Sequence, residues 1–168
     1  MKHLAQRVGV FVDVGNLYHS AKHLYNGNAN FSKILEAAIA DRPLIRAIAY
    51  VIKADSPKEQ DFFDALTKSG YEVKSKDIQI FAGGQKKGDW DVGIAMDAIK
   101  ISNRLDVVVL VSGDGDYIPL MTYLKENRGC LVEVIAFGRS ASKQLSEQAD
   151  SFLDLDSDPD TYILRGKK

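Results

Sequence analysis

The stretch Val107-Val108-Val109-Leu110-Val111 is apolar at every position, and Ser112-Gly113-Asp114-Gly115-Asp116 follows at once. A run without polar alternation is a strand covered on both faces, and such strands belong to parallel sheets. Parallel strands need crossover connections, so this feature commits the chain to an α/β fold with helices on both sides of a sheet. It also puts two carboxylates just past the carboxyl end of a central strand, the edge where open α/β sheets bind ligands. Strand packing has no need of two aspartates there; a divalent cation has. Gly113 and Gly115 would permit a tight turn and a close approach of backbone to ligand.

Val8-Gly9-Val10-Phe11-Val12 is a second such run, ending at Asp13. Further strands are expected over 44–52, over 71–81 with an interruption, and over 131–136. Helices are expected over about 15–25, 31–40, 57–69, 91–101, 117–126 and 141–148, with 26–30 as a turn and 83–88 as a flexible basic loop. Ser56 reads as an N-cap with Pro57 in the first helical position, and Gly70 as the C-cap. The alternation predicts a three-layer α/β/α Rossmann-like fold with a mainly parallel sheet and strand order 3-2-1-4-5. In that order the strands ending at Asp13 and Val111 are neighbours at the switch point. Asp13, Asp114 and Asp116 then share one crevice although about a hundred residues separate them.

The 168 residues suit a single domain, with a core over about 8–153, an acidic turn-rich tail over 154–168 and fraying at 165–168. No apolar stretch approaches a membrane span, and residues 1–7 are too short and polar for a signal peptide, so cytoplasmic residence is the default expectation. The lone Cys130 opens an apolar run and reads as a buried thiol. The net charge of −1 suggests no polyanion partner by itself. Setting aside Asp13, Asp91, Asp97, Asp114 and Asp116 takes the acids from 23 to 18 against 22 bases, which leaves a mildly basic surface compatible with nucleic acid.

A third acidic group, Asp89-Trp90-Asp91 with Asp97, precedes the central strand. Six residues at about 100° each place Asp97 roughly 120° around a helix from Asp91, so both reach one site only if Asp91 stands at the helix start. Gly93 would clear space beside Asp97. Carboxylates forced together need a cation, and an oxygen-only donor set suits Mg²⁺ or Mn²⁺ and phosphate-ester chemistry.

The three groups Asp13-Val14-Gly15-Asn16, Lys87-Gly88-Asp89-Trp90-Asp91 with Asp97, and Ser112-Gly113-Asp114-Gly115-Asp116 together resemble the NYN-domain family, specifically its LabA-like branch within the PIN-like nuclease superfamily. The resemblance runs from about residue 8 to 153. It implies a PIN-like fold and a metal-dependent ribonuclease site at Asp13, Asp91, Asp97, Asp114 and Asp116. It further implies Asn16 orienting ligand or water and Ser112 supporting the site by hydrogen bonding. RNA is the implied partner, single-stranded or structured, and a homo-oligomer stays open.

Several residues carry a second reading. Asn16 is equally a helix N-cap, Ser112 a turn hydroxyl and Asp89 a solvated charge at a helix start. Lys86 and Lys87 are either a solvated loop or a phosphate clamp, without a phosphate-loop signature. Tyr18 and Trp90 either stack on bases or pack in the core. His19 and His23 lack the glutamate of a zinc-protease helix. Two rival functions remain at this point: a non-catalytic RNA- or nucleotide-binding regulator, and a haloacid-dehalogenase-type phosphatase with an aspartate nucleophile.

Overall fold

The computed structural model describes residues 2–166. The fraying expected at 167 and 168 lies outside them. Strand β1 (Val8–Asp13) runs directly into α1 (Val14–Tyr25); β2 (Asn28–Ala29) and α2 (Phe31–Ile39) lead to β3 (Leu44–Lys53). Helix α3 (Glu59–Ser69), β4 (Glu72–Asp77), a hairpin of β5 (Gln79–Ile80) and β6 (Lys86–Lys87), and α4 (Asp91–Ile101) follow. The second half holds β7 (Val107–Val111), α5 (Ile118–Asn127), β8 (Leu131–Ala136), α6 (Lys143–Gln148), β9 (Ser151–Asp154), α7 (Pro159–Tyr162) and β10 (Ile163–Leu164).

Six strands form one parallel sheet in the order β4-β3-β1-β7-β8-β9. That is the expected 3-2-1-4-5 order with β9 added at one edge. Strands β1 and β7 pair in register, Val10 opposite Val109 and Val12 opposite Val111. Alternate side chains go to opposite faces. Val10, Val12, Val109 and Val111 pack with Leu17 of α1, Ile34 of α2 and Leu66 of α3. Phe11, Val108 and Leu110 pack with Ile94 of α4, Met121 of α5 and Leu145 of α6. Each such side chain removed from water contributes about 1.5–3 kcal/mol, which is why the central strands tolerate no polar position.

Several expected boundaries move for local reasons. Helix α3 starts at Glu59 without a side-chain cap: the Ser56 carbonyl accepts from the Glu59 amide at 3.2 Å, and the Glu59 carboxylate accepts from the Ala54 amide at 2.8 Å. The strand expected over 71–81 breaks after Asp77. The expected loop 83–88 is strand at two of its six residues, because Lys86 and Lys87 pair with Ile80 and Gln79. The expected turn 26–30 holds β2, which pairs with β10. Beyond Asp154 the chain does not trail off, since Leu155 and Ile163 are buried in the core beneath α1 and α2. One buried ion pair ties the layers: Arg42, just past α2, meets Glu133 of β8 at 2.8 and 3.0 Å and donates to the Ala38 and Ile39 carbonyls. Cys130 is buried, as expected, and burial pushes its thiol up. Among the described residues no helix is long and apolar enough to cross a membrane.

Candidate metal centre

Adjacent β1 and β7 end together, so the segments leaving them converge. Asp13 closes β1 and caps α1, its Oδ1 accepting from the Asn16 amide at 3.3 Å. Its Oδ2 accepts from Ser112 Oγ at 3.3 Å and Tyr117 Oη at 3.2 Å. Asn16 is therefore not the cap; its Oδ1 accepts from the Gly113 amide at 3.0 Å and clamps the post-β7 loop to α1. Buried Ser112 also accepts from the Asp114 amide at 3.2 Å. Asp114 Oδ1 accepts from the Asp116 amide at 2.9 Å and starts the single turn Gly115–Tyr117. Asp91, first residue of α4, accepts from Tyr117 Oη at 3.1 Å.

Carboxylate oxygens of Asp91, Asp114 and Asp116 lie within 4.8 Å of one another. Opposite ligands of an octahedral Mg²⁺ stand about 4.2 Å apart, so small side-chain rotations would close the group on such an ion. The donors are all hard oxygens, with no thiol or imidazole among them.

The protonation pattern fits a cation as well. Burial raises the pKa of Asp13, against hydrogen bonds from Asn16, Tyr117 and Ser112. Burial also raises that of Asp91, and the charges of Asp114, Asp89 and Asp13 add to it. Tyr117 is pushed far up by burial and by Asp13 and Asp91, so it stays a donor. Its single proton serves only one of two carboxyl groups. The second contact is favourable only when a carboxyl group is protonated, and a cation can take the place of that proton. In the sequence nothing marks Tyr117 beyond its position directly after Asp116.

The structure does not bring Asp97 into this group. Its carboxylate meets Lys74 Nζ of β4 at 2.7 Å and Tyr50 Oη of β3 at 2.8 Å. Burial alone would raise its pKa, but the Lys74 and Tyr50 hydrogen bonds and the Lys74 and Lys100 charges together hold it below the usual range. A carboxylate already neutralised by lysine has little left for a second cation.

Gly93 makes room for Trp90 rather than for a ligand: a Cβ there would stand 2.5 Å from the indole ring. Trp90 is a wedge between α4 and β3, its Nε1 donating to the Val51 carbonyl at 2.8 Å and its ring 5.2 Å from that of Tyr50. A Cβ on Gly113 would meet Ala141 Cα at 2.9 Å, so the close approach is to the chain before α6. Asp89 accepts from the Asp91 amide at 3.2 Å, as a helix-start acceptor. Tyr18, His19 and His23 are exposed on α1. Lys86 and Lys87 are exposed on the hairpin, where strand alternation points them to opposite faces. A surface groove of about 370 Å³ lies at the other end of α4 among Arg46, Lys100 and Arg104.

An open parallel sheet, helices on both faces and carboxylates gathered where the strand order reverses define a Rossmann-like α/β domain with an acidic crevice at its switch point. Residues 7–156 match the model of the NYN domain, and the chain belongs to that family. It is 27% identical over 158 residues to the low amplitude and bright protein LabA of Synechococcus elongatus, covering 89% of this chain and 83% of that protein. It is also similar to the crystal structure of a protein of unknown function from Vibrio parahaemolyticus. There the identity is 33% and the TM-score 0.88, over 98% of this chain and 99% of the other.

Proposed function

We propose that this protein is a metal-dependent ribonuclease that hydrolyses phosphodiester bonds of single-stranded or flexible RNA. The supporting observation is the convergence of Asp91, Asp114 and Asp116 beside half-buried Asp13 at the switch point, in a chain of the NYN family. Asp91, Asp114 and Asp116 would hold Mg²⁺ or Mn²⁺, which when bound would supply water activation and charge neutralisation at the leaving oxygen. Asp13, with donors from Ser112, Tyr117 and the Asn16 amide, completes the acidic wall. Tyr117 keeps Asp13 and Asp91 at fixed positions, and Asn16 holds the loop that carries Asp114. Asp97 is assigned to fixing Lys74 and Tyr50 beneath α4. Of the two hairpin lysines, Lys87 supplies positive charge for the substrate backbone, while Lys86 is turned to the opposite face of the hairpin and is not assigned to it.

The test is incubation of end-labelled single-stranded RNA with the protein and Mn²⁺, with and without EDTA. The expected products carry 5′-phosphate and 3′-hydroxyl ends and disappear with chelator. Cleavage that survives EDTA, or that ends in a cyclic phosphate, would overturn the mechanism. RNA binding without turnover at saturating Mn²⁺ would make the protein a binding regulator instead.

A further inference from the structure

Between the β5–β6 hairpin and the start of α4 lies a groove of about 250 Å³, lined by Lys76, Asp77, Gln79, Phe81, Lys87, Gly88, Asp89 and Val92. Two of its lining residues, Asp89 and Val92, stand within two positions of Asp91 at the start of α4. We propose that this groove is a nucleotide subsite that stacks one base of the RNA on Phe81 and holds an adjoining phosphate with Lys87 and Lys76. The proposal rests on the RNA reading above and adds the residues that would grip the substrate beside the reacting phosphodiester.

Phe81 is 48% exposed and belongs to neither apolar core, so no packing need explains an aromatic ring there. The Phe81 amide donates to the Gln85 carbonyl at 2.7 Å, which extends the hairpin pairing and sets the ring's position on it. Strand alternation then sorts the side chains. Gln79, Phe81 and Lys87 face the groove, whereas Ile80 and Lys86 face away. The two adjacent lysines are thus unequal, and only Lys87 points toward the candidate substrate path.

Among the described residues neither Lys87 nor Lys76 has a carboxylate partner, and the Lys76 ammonium sits 4.8 Å over the Trp90 ring. Trp90 is anchored to β3 through the Val51 carbonyl, so it holds Lys76 at the groove wall. Asp77 and Asp89 also line the groove, so it is not a bare cationic patch that takes any polyanion. An aromatic face, the Gln79 amide and two lysines match the three parts of a nucleotide: a flat base, a hydrogen-bonding edge and a phosphate. The volume is smaller than the roughly 300–1,000 Å³ of pockets that engulf a whole ligand, which suits one unit of a longer strand.

The test is fluorescence anisotropy of a labelled RNA hexamer and of an abasic ribose-phosphate strand of the same length. Binding is measured in Ca²⁺, with a parallel gel for cleavage in Mn²⁺. The proteins are wild type, Phe81→Ala, Phe81→Tyr, Lys87→Ala and Lys86→Ala; all the changed side chains are exposed, and melting curves verify folding. Phe81→Ala should weaken hexamer binding at least fivefold and leave the abasic strand within twofold, with Phe81→Tyr restoring affinity. Lys87→Ala should weaken both probes at least threefold and flatten the salt dependence, and Lys86→Ala should change neither. Equal loss on both probes for Phe81→Ala, or equal effects of the two lysines, would overturn the subsite while leaving cleavage in place. The expected pattern without cleavage in Mn²⁺ would support the subsite and overturn the nuclease reading. No binding of either probe by the wild type would overturn both.

Discussion

Replacing Asp114 with asparagine removes one charge from the acidic group and keeps the shape of the side chain. Its Oδ1 still accepts from the Asp116 amide, so the turn after β7 survives. Asp91 and Asp116 each offer an oxygen within 4.8 Å of the Asp114 carboxylate. At that separation two unit charges repel by about 3.5 kcal/mol at an effective dielectric of about 20, and by about 0.9 kcal/mol in bulk water. Asp116 is exposed and the other two are half-buried, so the lower figure is nearer, about 1 kcal/mol per pair. Relief of two such pairs, about 2 kcal/mol together, should raise the melting temperature of the metal-free protein by roughly 4–8 °C for a chain of this size. Mn²⁺ at about a hundredfold its Kd should stabilise the wild type by about 2.7 kcal/mol, and the variant, lacking one ligand, far less. The order of melting should therefore reverse: variant above wild type in EDTA, wild type above variant in Mn²⁺. RNA cleavage by the variant should fall at least about a hundredfold, in line with loss of a principal charge-stabilising group. Differential scanning fluorimetry reads the melting, and a gel reads the cleavage. A variant that unfolds several degrees early in EDTA would refute the reasoning, because it would make Asp114 a structural turn residue.

Asp13 and Asp91 have pKa values raised by burial, so their contribution to metal-free stability is complete below about pH 4 and is lost as pH climbs through the raised values. Metal binding needs the charged forms, so Mn²⁺ affinity should increase with pH over that window and release protons; calorimetry in buffers of different ionisation enthalpy showing no release would contradict this. Tyr117→Phe keeps the buried ring but removes a hydrogen bond that favours charged Asp13, so the acid limb of Mn²⁺ binding should move to higher pH; an unmoved limb would show that the hydroxyl does not couple to the site. Glu133→Gln should cost about 3–5 kcal/mol in urea melts, because it leaves the buried Arg42 guanidinium without its countercharge. The double change Arg42→Met with Glu133→Leu should recover most of that loss, and a cost below about 1 kcal/mol for the single change would mean that water reaches the pair.

Much of this protein could be read from local pattern. Two all-apolar runs force buried parallel strands, right-handed crossovers narrow the strand order, and those constraints alone place Asp13 beside Asp114. Helix α4 fell where periodicity put it, because its buried Ile94 and Ala98 and its exposed Val92, Met96 and Lys100 each recur every four residues; strand β8 fell where its nearly unbroken apolar run put it, buried from Val132 to Ala136.

What the pattern left open depended on partners distant in sequence. Strand β2 is two residues long and exists only because β10 returns to pair with it. Nothing in Lys86-Lys87 reveals that one side chain faces the groove and the other turns away; register with Gln79 and Ile80 decides it. Tyr117 read as a helix start and became a bridge between two carboxyl groups once α4 was packed against the end of β7. Asp97 shows the division most sharply. Helical geometry put it about 120° from Asp91, in reach of either the crevice or the sheet. Lys74, on an edge strand 23 residues away in sequence, drew it to the sheet. A carboxylate goes to the nearest uncompensated cation, and which cation is nearest is a property of the tertiary fold alone.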